Sequence, residues 1–140
     1  MLQHPAAVRA AFHDASESFL AVLRAVRPEQ WDRPGALGDW TTRELAAHAL
    51  RAYVTVDGYL SAAPTTDRIL ADAGEYYATV LVEVGVHTLD LQRAIGAPVE
   101  LADSTTDVVL QVLVQLASPV PLILALSGRQ TLPVGFNVLG

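Results

Sequence analysis

Hydrophobic residues near the start of the chain recur at helical spacing. Between Val8 and Val26 they follow one another at alternating steps of four and three positions, while Arg, Asp and Glu occupy the positions between them. Steps of three and four residues place side chains on one face of an α-helix. The pattern therefore predicts an amphipathic helix that buries one face and ends at Pro28, since proline cannot continue a helix.

The second helix is predicted to begin at Thr41 or Thr42. It follows a connector from Pro28 to Trp40 that contains Pro34, Gly35 and Gly38. A Thr three positions before Glu44 has the spacing of a capping box, in which each side chain bonds a free backbone amide at the helix start. We expect this helix to stop before Pro64 and to carry His48 within its apolar stripe.

Two further helices are predicted downstream. The third starts near Thr66 or Asp67 and ends at Ile95, because Gly96-Ala97-Pro98 supplies a terminating glycine and a following proline. The fourth starts within 104–107 and runs to Ser118, after which Pro119 and Pro121 bend or split the apolar segment that reaches Leu126.

This order of elements predicts an all-α fold, a four-helix bundle in a single domain over residues 1–140. The last segment, Thr131 to Leu139, contains Pro133 and Gly135 among apolar residues. We predict a short extended tail there, formed by an extended segment, a turn or a small strand pair.

Composition excludes several classes of protein. The chain is 51% hydrophobic and 17% charged, which excludes intrinsic disorder. All nine basic residues are Arg, and the net charge of -6 argues against a nucleic-acid partner.

No charged segment followed by an apolar run opens the chain, so we expect a cytoplasmic protein. Polar residues and prolines interrupt the most apolar stretch, Val108 to Leu126, which favours a buried or interface helix over a membrane span.

The absence of cysteine leaves His, Asp and Glu for metal or acid–base chemistry. Glu83 and His87 stand four positions apart on the predicted buried stripe of the third helix, so both project toward a common point. With His48 from the second helix they predict a three-ligand metal site that keeps a coordination position open. Zn²⁺ is the first choice, and Fe(II) suits the same ligands. The alternative is an ordinary Glu–His helix pair beside a core histidine.

Two more residues are candidates for the site. Asp90, three positions after His87, either accepts the free ring N–H of that histidine or is a solvated charge. Arg129 follows the apolar segment at Gly128. It either binds a carboxylate of a cofactor or substrate through two hydrogen bonds, or is an exposed arginine that aids solubility.

Three blocks of the sequence resemble one family. They are Trp31 to Leu50, reading WDRPGALGDWTTRELAAHAL, Leu81 to Gly96, reading LVEVGVHTLDLQRAIG, and Leu122 to Pro133, reading LILALSGRQTLP. Together they resemble the mycothiol-dependent maleylpyruvate isomerase family, within the DinB-like superfamily of metal-binding helical bundles. The resemblance implies that His48, Glu83 and His87 are metal ligands.

The resemblance also implies a function. Enzymes of the family use a divalent metal, usually zinc, to activate the thiol of mycothiol or a related small thiol, which then attacks an electrophile in an isomerase or S-transferase reaction. Here 35 positions separate His48 from Glu83, fewer than is usual in the family, which implies a shortened bundle. We therefore expect a homodimer that covers the apolar 108–126 segment. The alternative is a metal site that is open and altered. The alternative function is a catalytically silent helical module for ligand binding or dimerisation.

Overall fold

Helices make up most of the protein, as the sequence predicts. The computed structural model describes residues 5–61 and 67–139, with side chains except at 5, 56, 58–61 and 67–77. The described residues form five α-helices: α1 (Pro5–Ala25), α2 (Thr42–Ser61), α3 (Asp67–Ile95), α4 (Asp103–Leu116) and α5 (Pro119–Leu126). The predicted all-α bundle is confirmed, and Thr66, one of the two predicted starts of the third helix, lies outside the described residues.

The core lies around α3, which packs against α1, α2 and α4. Its largest fully buried side chains come from three helices: Phe19, Leu45, Leu81 and Leu91. The predicted stripe of α1 faces this core, since Val8, Ala15, Phe19, Val22 and Val26 are buried and Phe12 packs against the same cluster. The hydrophobic periodicity therefore identified the buried face of α1 correctly.

Helices α3 and α4 approach each other closely at a glycine. A Cβ placed on Gly85 would lie 3.0 Å from Cγ2 of Val109 and 3.7 Å from Cγ2 of Thr105. Thr105 is fully buried, and its hydroxyl donates to the carbonyl oxygen of Ala11 in α1 at 3.1 Å. The small residue at position 85 thus lets α4 pack against α3 two residues from Glu83.

The start of α2 is the predicted capping box. The backbone N–H of Thr41 donates to Oε2 of Glu44 at 2.7 Å, and the N–H of Glu44 donates to the Thr41 hydroxyl at 3.2 Å. The backbone N–H and the hydroxyl of Thr41 both donate to the Glu44 carboxylate, and these two bonds lower the pKa of Glu44. A carboxyl pKa that is depressed in the folded state stabilises that state above the unfolded-state pKa, and this contribution disappears as the pH falls.

The connector before α2 contains structure that the sequence analysis did not predict. A 3₁₀ turn at Pro28–Gln30 precedes a small antiparallel hairpin of β1 (Pro34–Leu37) and β2 (Trp40–Thr41). Between the strands Gly38 has a φ of +55°, which glycine adopts without steric cost. The hairpin is joined to α2 by an ion pair between Arg43 and Asp32 at 2.8 Å.

Two buried glutamines bond to the backbone of the connecting segments. The side chain of Gln92 pairs with the backbone of Glu100 through two hydrogen bonds of 3.0 Å. Gln30 accepts from the N–H of Arg27 at 2.9 Å and donates to the carbonyl oxygen of Ile95 at 3.2 Å. These bonds satisfy backbone groups that neither helix nor sheet pairs, and they fix both connections against α3.

The apolar 108–126 segment is split into α4 and α5 at Ala117 and Ser118, as its prolines predict. Val108 and Val109 are buried, whereas α5 has no buried residue. Of the two roles expected for this segment, burial in the core applies to part of α4 and not to α5, and the role of α5 as an interface helix stays a prediction. None of the helices in the described ranges has the length and apolar character needed to cross a membrane.

The large exposed hydrophobic residues of α4 and α5 form a surface that we call the α4–α5 apolar face: Leu110, Val114, Leu116, Val120, Ile123 and Leu126. After it the tail continues through turns, without a strand among its described residues up to 139. A strand pair was one of the structures considered for this tail. The described residues instead form a strand pair in the connector before α2, where a two-residue turn of Gly38 and Asp39 joins β1 to β2.

We expect Gly85→Val to destabilise the protein by about 1–3 kcal/mol, because the added atoms overlap Val109 in a filled core. Thermal and urea unfolding followed by circular dichroism would measure the loss. Val109→Ala in the same chain should recover part of it by making room, a positive coupling in a double-mutant cycle. Equal losses for Gly85→Val with and without Val109→Ala would contradict the close contact.

Candidate metal centre

Helices α2 and α3 bring the three predicted metal ligands together. Oε2 of Glu83 lies 3.3 Å from Nε2 of His87, one turn further along α3, and 3.7 Å from Nε2 of His48 on α2. One donor atom from each residue lies within 4.8 Å of the other two. The spacing of four residues on α3 brings Glu83 close to His87, and the packing of α2 on α3 brings His48 close to Glu83.

The donor set fits a divalent cation. A tetrahedral Zn²⁺ with ligand bonds of about 2.1 Å separates its ligand atoms by about 3.4 Å. The Glu83 distances of 3.3 and 3.7 Å lie close to that spacing. The rings of His48 and His87 are 5.0 Å apart and nearly perpendicular. Two imidazoles and one carboxylate are ligands that Zn²⁺ and Fe(II) both accept, so the geometry does not distinguish these metals.

The exposure of the three residues differs from the sequence prediction in one respect. The side chain of Glu83 is 47% exposed, although we expected it on the buried stripe, whereas His48 is 35% and His87 12% exposed. Glu83 lies on the side of α3 that borders a cavity, so water reaches its carboxylate. The cost of burying an unpaired carboxylate is therefore no argument for a metal at this residue.

Asp90 contacts His87 from the opposite side of the ring. Its Oδ2 lies 3.2 Å from Nδ1 of His87, and both side chains are largely buried. This contact matches the first of the two interpretations of Asp90, in which the carboxylate accepts the ring N–H and orients the imidazole. With Nδ1 bonded in this way, Nε2 is the His87 atom that is directed toward Glu83.

An aromatic ring from the hairpin packs against the other histidine. The Trp40 ring lies 5.0 Å from the His48 ring, in an edge-to-face arrangement. The hairpin carries Trp40 at the start of α2, and Trp31 packs beneath the guanidinium of Arg43 at 5.6 Å. These contacts pack both tryptophans of the connector against α2, and Trp40 in addition restricts the orientation of His48.

The three candidate ligands line a cavity of about 490 Å³. Its remaining lining comes from the hairpin, α3 and the tail: Leu37, Val82, Val86, Asp90, Asn137 and Leu139. The contributions of the hairpin and the tail were not predicted from the sequence. These residues are distant along the chain, and no periodicity or motif links them to the Glu–His pair.

Arg129, the predicted cofactor-binding residue, does not line this cavity. It is exposed at the end of α5, and its guanidinium donates to the carbonyl oxygen of Ser127 in the same turn. The backbone N–H of Arg129 donates to the carbonyl oxygen of Leu124 at 2.8 Å, which terminates α5. Its predicted role in binding a cofactor therefore gains no support from its position, and it stays a prediction.

Comparison with known proteins identifies one family. Residues 12–77 match the family model described as the mycothiol maleylpyruvate isomerase N-terminal domain, which confirms the resemblance found in the sequence. The matched segment contains His48 and ends before Glu83. Searches of curated proteins and of solved structures found no match.

We expect Asp90→Asn to weaken metal binding by about 10–100-fold, because loss of the carboxylate leaves the His87 ring less well oriented. Competition with a chromophoric chelator would measure the affinity for Zn²⁺. Asp107→Asn, an exposed acidic position on α4, is the matched control and should leave the affinity unchanged. Equal affinities for Asp90→Asn and the unchanged protein would show that Asp90 has no role in orienting His87.

Proposed function

We propose, from the membership of residues 12–77 in the mycothiol maleylpyruvate isomerase N-terminal domain family, that this chain binds a divalent metal and uses it to activate an external small thiol. The reaction class is that of an isomerase or an S-transferase, with an electrophile as the second substrate. The metal is Zn²⁺ by first choice, and mycothiol or a related low-molecular-weight thiol is the thiol.

One observation carries this proposal. Donor atoms of His48, Glu83 and His87 lie within 4.8 Å of one another on the wall of a cavity large enough for a small organic molecule. A helix pair with an unrelated core histidine does not require His48, from a different helix, to lie 3.7 Å from Glu83. Three protein ligands with an adjoining cavity are typical of metal sites that exchange a ligand.

The residues of the chain then have distinct tasks. His48, Glu83 and His87 bind the cation, Asp90 holds the His87 ring, and Trp40 restricts the His48 ring. A divalent cation bound there would supply a strong local positive charge that favours the deprotonated form of a coordinating thiol. Since the chain has no cysteine, the thiol must come from another molecule, and the half-exposed side of Glu83 is where such a molecule has access.

The assembly we propose is a homodimer through the α4–α5 apolar face. Ile123 is 62% and Leu126 79% exposed, and the tail, whose last described residues line the metal-site cavity, leaves them uncovered. Large exposed apolar residues along two consecutive helices are typical of a protein–protein interface. A second copy of the chain would cover it through a symmetric contact.

We expect about one metal ion per chain by elemental mass spectrometry. In the cobalt-substituted protein, 2-mercaptoethanol should produce a sulfur-to-cobalt charge-transfer band in the near-ultraviolet spectrum. His87→Ala should abolish both the bound metal and the band, because two side chains hold a cation much less well than three. His13→Ala, at an exposed position of α1, is the matched control and should change neither.

The possible outcomes separate the two functions. If cobalt stays bound but its spectrum does not change with any thiol, thiol activation is contradicted. Such a result would point to an activated water, as in a hydrolase. A protein that binds no metal would contradict the metal site as well. The catalytically silent helical module would then be the better assignment.

We expect the protein to be a homodimer at micromolar concentration in multi-angle light scattering. Ile123→Asp should convert it to a monomer, since a carboxylate among the residues of the α4–α5 apolar face is costly to desolvate in an interface. Val54→Asp, at an exposed valine of α2, should leave the dimer intact. A monomeric unchanged protein would show that the face is not an interface between copies of this chain.

A further inference from the structure

Two leucines from distant parts of the chain flank the cavity beside the candidate metal ligands. Leu37 lies at the end of β1, and Leu139 lies at the end of the described tail. Leu37 is 40% exposed and Leu139 is 48% exposed. Val82 and Val86 of α3, one turn apart, complete the apolar part of the lining. The cavity thus combines a polar group of metal ligands with apolar side chains from three elements.

The position of Leu139 is fixed by its own turn. The side-chain oxygen of Asn137 accepts the backbone N–H of Leu139 at 2.9 Å, and Asn137 itself lines the cavity. An Asn that bonds the backbone two residues further on forms a local turn without help from a sheet or helix. The turn thus fixes Leu139 relative to Asn137, and both residues line the cavity.

Partly exposed leucines at a cavity have a physical consequence. Burying the remaining apolar surface under a ligand is favourable, and the gain grows with each methylene group that leaves water. A cavity of about 490 Å³ holds a small organic molecule, whose apolar part would lie against Leu37 and Leu139 when its polar end reaches the histidines. A purely polar ligand would leave these side chains in water.

We propose that Leu37 and Leu139 form an apolar clamp that selects ligands with a short aliphatic or aromatic group attached to a metal-binding head. The inference builds on the proposed function, since it assigns the head to the site of His48, Glu83 and His87. It adds a specificity-determining role for the hairpin and the tail. The ligand class is a small molecule with one polar, metal-ligating end and an apolar body of about four to six carbon atoms, a size that the volume range of ligand pockets allows.

The test uses alkyl hydroxamates, which ligate divalent metals through two oxygen atoms and need no thiol. Acetohydroxamate and hexanohydroxamate are titrated into the cobalt-loaded protein, and the change in the cobalt spectrum gives each dissociation constant. They differ by four methylene groups, and each fully buried methylene is worth about fourfold in affinity. Because the clamp would cover only part of the alkyl chain, hexanohydroxamate should bind at least about tenfold more tightly than acetohydroxamate.

Variants assign the effect to the clamp. Leu139→Ser and Leu37→Ser should each reduce the advantage of hexanohydroxamate to about threefold or less, because serine removes the apolar contact. Affinity for acetohydroxamate and the cobalt content should stay unchanged in both. The matched control is Val134→Ser, at a fully exposed position of the same tail. Equal affinities for the two hydroxamates, or an advantage that survives both serine variants, would overturn the clamp.

Failure of the proposed function gives a different result. A protein that takes up no cobalt contradicts the metal site, and 1-hexanol, which has no strong metal-binding group, then tests the clamp by itself. Its addition should shift the methyl NMR signals of Leu37 and Leu139 and leave those of Val134 unchanged. Absence of that shift would overturn the clamp whether or not the protein binds metal.

Discussion

Helix α3 must satisfy two opposing constraints along a single stretch of sequence. Its apolar residues pack against α1, α2 and α4, while Glu83, His87 and Asp90 must keep access to a cavity and to one another. Dense packing on several sides fixes the helix, and a fixed helix holds the Glu83–His87 pair at 3.3 Å. The absence of a side chain at Gly85 contributes to this packing, because it lets α4 approach α3 where a Cβ would lie 3.0 Å from Val109.

The second half of the site depends on where α2 begins. The capping box at Thr41 and Glu44 fixes that start, and His48 lies one turn beyond Glu44. The hairpin immediately before it is held to α2 by the Arg43–Asp32 ion pair and brings the Trp40 ring against His48. Individually such exposed contacts contribute little to stability. Their importance lies in the direction of the His48 ring, which must point across the helix interface toward Glu83.

The distribution of exposure around the site bears on its function. His87 is held inside by Asp90 and the core, whereas Glu83 meets water and the cavity continues outward to leucines of the hairpin and tail. A structural metal is normally enclosed by four protein ligands, and a site that exchanges ligands keeps one side open. The candidate site is open on the side of Glu83, which is the arrangement that the proposed function requires. An apolar lining around the open side adds selection by shape and hydrophobicity to the binding of a polar head.

Local rules in the sequence determined the helices, the buried face of α1, the capping box of α2 and the Glu–His pair on α3, because each depends on spacings of three or four residues. The sequence also contained His48, but its distance from Glu83 depends on how α2 packs on α3. Tertiary structure alone decided that Glu83 is half exposed, that Leu37 and Leu139 meet at one cavity, and that α5 stays on the surface. These features join residues as many as 102 positions apart, as for Leu37 and Leu139, or depend on how the helices pack. Hydrophobic pattern records which face of an element is apolar, and only packing determines what that face meets.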